Sequence, residues 1–261
     1  MPFSGDPTWL ADVLRAEGVR VVEWRERDRT GAEYDWRQIG HGDFGDVWGV
    51  LWHHMGVNDQ GADIIRHGVP GLAGPIANIH LARNGTATVV AAGVAWHAGN
   101  GSWPGLPTNN ANPRLIGVEM AGNGTDPWPP ECWDAAVRIG AAISRRLGYG
   151  ADRNIAHKEW AGRAQGKWDP GNWDMDAFRR DIHNRLTKPA AQPNTGVPNM
   201  ADLPGLSNAE ARELLTKTRE VWDQLRGIDG KGWPQLGTNA KGENLSLVDA
   251  LAEVKSKVEG A

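Results

Sequence analysis

The sequence predicts an α/β fold: a central mixed β-sheet flanked by helices, followed by a small C-terminal α-helical hairpin. Three observations predict it. Two apolar runs of strand length, VWGVLWH at 47–53 and LIGVEM at 115–120, read as buried central strands. Ile79–Ala82 and Thr86–Ala95, joined by Arg83-Asn84-Gly85, read as a hairpin with an Asn-Gly turn. A hairpin inside an irregular alternation of strands and helices makes the sheet mixed. The third observation is a change of composition at 188–205, KPAAQPNTGVPNMADLPG, where four prolines mark a linker and helical spacing takes over beyond it.

The elements follow in order. Asp6-Pro7 ahead of Trp9, Leu10, Val13 and Leu14 predicts a capped amphipathic helix with proline at its first position. The run at 47–53 leaves His53 at the end of a buried strand, and the second hairpin strand leads into Trp96-His97-Ala98-Gly99. Glu131–Leu147 reads as a helix closed by Gly148. A short strand or loop leads to His157, Gly162 and Gly166 suggest a loop folding back, and Asp174–Leu186 forms a final helix.

This divides the chain into a domain at 1–187, the linker at 188–205 and a helical module at 206–261. In the module, Ser207 and Glu210 form a capping-box pair, and Leu214, Leu215, Thr218, Val221, Trp222 and Leu225 follow helical spacing up to Gly227. Leu247, Val248, Leu251, Val254 and Val258 share one face of a second helix. Two such short helices bury both stripes poorly by themselves. They are expected to dock on the first domain, self-associate or hold a partner.

Composition excludes several classes. Of 261 residues 23% are charged, for a net charge of −4, and the basic residues are interleaved with acids, so no nucleic-acid partner is expected. The single Cys132 excludes an intramolecular disulfide framework and lies within a predicted helix. The N-terminal MPFSGDPTWLADVLRAEG shows no basic segment followed by an apolar one, so no signal peptide is expected. No run approaches the ~20 apolar residues that span a bilayer, so no membrane insertion is expected. Fourteen tryptophans against three Phe and two Tyr suit either a groove that stacks on sugars and flat peptide groups or a loop-rich core.

Three fragments carry chemistry. VLWHH at 50–54 and AHKEWAGRAQGKWDPG at 156–171 offer His53 or His54, His157 and Asp169, the donor set of a catalytic zinc site with one open position. Adjacent strand residues face opposite ways, so only one of His53 and His54 can join such a site. IGVEM at 116–120 places a lone carboxylate, Glu119, in an apolar run, as activation of a water requires. Lys167 lies two residues before Asp169, on the same face of an extended segment, and reads as an oxyanion donor or as an exposed loop cation. Asp169-Pro170-Gly171 also reads as simple turn chemistry.

WHHMG, WHAGNGSW, IGVEM and AHKEWAGRAQGKWDPG, in that order, resemble the zinc-dependent N-acetylmuramoyl-L-alanine amidase family. That family shares its fold with peptidoglycan recognition proteins and with phage lysozymes of amidase type. The resemblance covers roughly 45–175. It implies zinc held by His53, His157 and Asp169, Glu119 as general base, Lys167 as the group stabilising the tetrahedral intermediate, and His97 and Trp103 along the substrate groove. The implied reaction is hydrolysis of the amide between N-acetylmuramic acid and L-alanine, with bacterial peptidoglycan as partner. Two departures stand out: Met55 sits where Ser or Thr often follows the paired histidines, and the 157–169 segment is longer than the commonest form.

A non-catalytic peptidoglycan-binding protein of this fold and a zinc peptidase acting on the stem peptide are the alternatives. A structural zinc site would want four protein ligands, usually including cysteine, and Cys132 is poorly placed for it. TVVAAGVAWHAG and WPQLG…LSLVDALAEV are similar to endolysins of phages infecting actinobacteria. That likeness implies a protein held in the host cytoplasm until a holin releases it to the cell wall.

Overall fold

The computed structural model describes residues 5–187 and, beyond them, positions 217, 221, 225, 233, 236, 238, 243–247, 249 and 250. The chain divides into two units, Met1–Asn194 and Thr195–Ala261, each described by itself. In chain order the first unit contains α1 (Leu10–Ala16), β1 (Arg20–Glu23), β2 (Arg25–Arg27), β3 (Glu33–Asp35), β4 (Gly49–His54), α2 (Ala62–His67), β5 (Gly68–Val69) and β6 (Leu72–Ala73). It continues with β7 (Ile79–Leu81), β8 (Thr86–Val89), β9 (Leu115–Met120), α3 (Pro130–Leu147), β10 (Asn154–Ala156), α4 (His157–Gln165) and α5 (Met175–Leu186).

Six strands form one sheet in the order β1-β8-β7-β9-β4-β10. Every neighbouring pair is parallel except the β7–β8 hairpin. The sheet is therefore mixed, with the hairpin supplying its one antiparallel pair, and β2–β3 and β5–β6 form two small separate ribbons.

Alternation along the strands divides the core in two. Val50 and Trp52 of β4, with Ile116, Val118 and Met120 of β9, pack into a large cluster with Leu10 and Leu14 of α1, Ile139 and Ile143 of α3, and Phe178 and Ile182 of α5. Leu51, Leu115 and Ile155 point to the other face, where they meet Trp48, Ala98, Trp160 and Ala161. Three helices thus cover one face, and α4 with the segment after Ala95 covers the other. Cys132 is buried in the first cluster, and burial pushes its thiol up to about 12, so it is packing rather than a nucleophile.

Several elements differ from the sequence expectation for identifiable reasons. Asp6 caps no helix: its Oδ1 accepts from the Phe44 N–H at 2.8 Å, and α1 begins later, at Leu10. The second hairpin strand stops at Val89 because Asn78 captures the chain beyond it. The Asn78 Nδ2 donates to Ala91 O and Gly93 O at 3.0 and 2.9 Å, and its carbonyl accepts from Val90 N–H at 2.8 Å. The segment after His157 is a helix, α4, rather than an open loop. Glu159 accepts from the Ala156 N–H at 2.8 Å at its start, and Gly166, at φ +66°, closes it.

In the second unit Lys217, Val221 and Leu225 are helical. Ser246 and Asp249 cap each other reciprocally, each backbone N–H donating to the other's side chain at 3.1 Å, ahead of helical Leu247. The linker at 188–205, the Ser207–Glu210 pair and most of the predicted hairpin lie outside the described residues.

Asn78 also ties the hairpin to β9, because its Oδ1 accepts from the Gly117 N–H at 3.0 Å. Asn78→Leu strands these buried partners and should cost roughly 2–4 kcal/mol of stability, read from urea unfolding; an unchanged midpoint contradicts this role.

Candidate metal centre and its groove

The period of two that sorts the core also builds the site. His53 lies two residues after Leu51, and His157 two after Ile155, so both emerge on the α4 face at the C-terminal ends of neighbouring parallel strands. Glu119 pairs with His53 in the β4–β9 register and shares that face. Ligand sites in open α/β sheets form at such strand ends.

His53, His157 and Asp169 bring one potential ligand atom each within 4.8 Å of one another, and all three residues are buried. His53 Nδ1 lies 2.9 Å from His157 Nδ1 and 3.3 Å from Asp169 Oδ2, and His157 Nδ1 lies 3.0 Å from the same oxygen. The far side of each ring shows where its proton is. His157 Nε2 is 3.1 Å from the Ala98 carbonyl, which can only accept, so the ring donates from Nε2. His97 Nε2 likewise donates to Leu115 O at 3.1 Å, which leaves His97 Nδ1 to accept from His53 Nε2 at 3.1 Å.

In the neutral rings, both Nδ1 lone pairs therefore face the Asp169 carboxylate with no proton between them. Such convergence is repulsive until a cation sits among the three atoms. The separations of 2.9 to 3.3 Å approach the edge of a tetrahedron with bonds of ~2.0–2.1 Å, so the donor set and its spacing fit zinc.

The electrostatics agree with a ligand-ready site. Burial, reinforced by His157, pushes the His53 pKa down to about 4, which keeps the ring neutral at pH 7. Glu119 behaves in the opposite way. Burial first, then the like charge of Asp169, lifts its pKa well above the ordinary value, and Lys167 offsets this in part. Its side chain is half-buried along the groove, and its Oε2 is cut off from solvent without a hydrogen-bond partner.

The loop carrying Asp169 is held from two sides. Lys158, in the first turn of α4, donates its Nζ to Pro170 O and Trp173 O at 2.9 Å each, and its backbone N–H donates to Asp169 O at 2.7 Å. His54 is not one of the three converging residues; its Nδ1 accepts from the Gly171 N–H at 3.1 Å and its ring packs against Trp168.

A hollow of about 350 Å³ over the cluster is lined by His53, Glu119, His157, Lys167, Trp168 and Asp169. A neighbouring hollow shares Trp96, His97, His157 and Lys167 and continues past Asn112 and Gln165. Trp96 and Trp168 stand exposed along this groove, 43% and 54% accessible. Trp103 lines neither of these two hollows and is half-buried against the cluster of Trp48 and Leu115. Lys158, Asn112 and the His97–His53 contact were not legible in the sequence. Gly117 was the available signal, since a glycine inside a buried strand marks a close approach.

Fold and site together define a mixed-sheet α/β domain in which His53, His157 and Asp169 could hold a metal ion beside the half-buried Glu119. Residues 43–172, which carry every one of these groups, match the family model for N-acetylmuramoyl-L-alanine amidase. Residues 206–261 match the model for the Rv3766 C-terminal domain. The uncharacterized protein Rv3766 of Mycobacterium tuberculosis (strain H37Rv) is 36% identical over 155 residues; the match spans 56% of this chain and 53% of that protein.

Among solved structures, the amidase AmiD of E. coli, in complex with anhydro-N-acetylmuramic acid-L-Ala-D-γ-Glu-L-Lys, is 18% identical at a TM-score of 0.45, covering 87% of this chain and 95% of that one. The amidase LysC of Clostridium intestinale URNW is 17% identical at a TM-score of 0.43, covering 52% and 85%. The assignments at this site stand on the chain's own geometry.

Removing a ligand should remove the ion. His157→Ala and Asp169→Ala are expected to purify without stoichiometric zinc, whereas His54→Ala keeps it; elemental analysis of the folded proteins decides, and equal metal in all three contradicts the ligand set.

Proposed function

We propose that this protein is a zinc-dependent N-acetylmuramoyl-L-alanine amidase that cleaves the amide joining the lactyl group of N-acetylmuramic acid to L-alanine in peptidoglycan. The observation that carries the reading is the convergence of one ligand atom each from His53, His157 and Asp169 beside a carboxylate whose Oε2 is cut off from solvent without a hydrogen-bond partner, at one end of a groove. The amidase family match over 43–172 supplies the substrate class.

His53, His157 and Asp169 would hold the zinc. Bound in such a site, zinc supplies Lewis-acid polarisation of a carbonyl and lowers the pKa of a water. Glu119 takes the proton from the attacking water as oxygen bonds to the carbonyl carbon, and delivers it to the amine as the C–N bond breaks. The products are a free lactyl carboxylate and a stem peptide beginning at L-alanine. Lys167 lines the same hollow, close enough to affect the charge of both His53 and Glu119, and from there it stabilises the developing oxyanion. The raised pKa of Glu119 suits a base that must also return its proton. His97 forms part of the groove wall.

A lytic role, with release by a holin from the host cytoplasm to the cell wall, belongs to the same proposal and is supported by the endolysin-like segments of the sequence. The C-terminal unit is proposed to self-associate. Val221 and Leu225, one helical turn apart and both exposed, are the described part of its apolar stripe.

Digestion of purified peptidoglycan followed by mass spectrometry tests the activity. Intact glycan strands with free stem peptides beginning at L-alanine, lost on chelation and recovered with zinc, are expected; cleaved stem peptides would make the protein a peptidase, and binding without cleavage a receptor. Glu119→Gln should keep its zinc and lose roughly 10²–10⁴-fold in turnover. Because only the ionised carboxylate is a base, wild-type kcat/KM should fall as pH drops through a value above the ordinary carboxylate range. Light scattering of the full chain should give more than a monomer's mass, and a monomer contradicts self-association.

A further inference from the structure

Both histidine ligands depend on one two-residue segment that touches no ligand position itself. The His97 ring accepts from His53 Nε2, and the next residue's carbonyl, Ala98 O, accepts from His157 Nε2. Asn112 holds the backbone of both residues, since its Oδ1 accepts from the His97 and Ala98 N–H groups at 3.1 and 2.8 Å. The His97 ring is fixed in turn by its bond to Leu115 O. It lies flush on β9, where a Cβ added at Gly117 would approach ring atoms at 2.8 Å. Glycine at that position leaves the room the ring occupies.

We infer that His97–Ala98, pinned by Asn112, is a brace that sets the tautomer and aim of both histidine ligands. His97 and Asn112 are thus positioning residues rather than catalytic ones. The inference rests on the metal-centre reading and adds what orients its ligands. Each imidazole has two tautomers, and only the form protonated at Nε2 presents the Nδ1 lone pair to the cluster. A carbonyl opposite one Nε2 and an acceptor nitrogen opposite the other select that form before any ion arrives. Groups hydrogen-bonded to a ligating histidine in this way contribute about 10–100-fold to metal affinity. The use of one segment for both rings couples them: displacing the 97–98 backbone disturbs two ligands at once.

The test is zinc affinity, measured by chelator competition on the full chain. His97→Leu removes the acceptor but keeps the bulk, and Asn112→Leu releases the backbone; each should weaken zinc binding roughly 10–100-fold. His97→Asn, whose Oδ1 can take the place of Nδ1, and Asn112→Asp, whose carboxylate still accepts both N–H groups, should restore most of the loss. Leucine variants that bind zinc as tightly as wild type overturn the inference. If they fail to fold, ¹⁵N shifts of the imidazoles in metal-free wild type decide: His53 and His157 protonated at Nε2 support the brace, and His53 protonated at Nδ1 overturns it. A wild-type chain that takes up no zinc overturns the metal centre itself, an outcome separate from either result on the brace.

Discussion

Two imidazole lone pairs and a carboxylate aimed at one point are the constraint around which this domain is organised. Acceptors at 2.9 to 3.3 Å with no donor among them repel one another, and a chain that folds without a cation must hold them against that repulsion. The holding groups are all local. Strand ends carry His53 and His157, a carbonyl and a third imidazole fix the rings from behind, and Lys158 with His54 clasps the loop that carries Asp169. A metal ion would turn the repulsion into binding energy, so the folded state and the loaded state are linked.

The same logic explains why Glu119 is left partnerless. A carboxylate with an unpaired, desolvated oxygen is destabilising, and nothing in the surrounding core requires it. Strain of this kind is tolerated when the rest of the domain over-determines the geometry. Here Glu119 sits on a central strand, in register with His53 and between two packed clusters, so the backbone cannot move to relieve it. Its raised pKa follows from its place in the sheet.

Much of this was readable from residue order. The apolar runs at 47–53 and 115–120 became β4 and β9, the Asn-Gly turn became the β7–β8 hairpin, and Gly148 closes α3 in the left-handed region at φ +72°. Alternation put His53 and His54 on opposite faces of the strand, so that only one of them could join the site. What could not be read depends on contacts between distant segments. Asp6 bonds to Phe44 instead of capping a helix, and Asn78 ends a strand through residues thirteen and fifteen positions away. His97 meets His53 across forty-four residues. The 157–169 segment misled because its two glycines suggested a loop, whereas Gly162 is absorbed within α4 and Gly166 ends it. Trp103 is half-buried against the cluster of Trp48 and Leu115.

Zinc K-edge X-ray absorption of the loaded protein bears most directly on the three-ligand centre. The expected spectrum shows nitrogen and oxygen scatterers at ~2.0–2.1 Å with the multiple-scattering signature of two imidazoles and no sulfur. A sulfur shell near ~2.3 Å, or a first shell with a single imidazole, would contradict a site built from His53, His157 and Asp169.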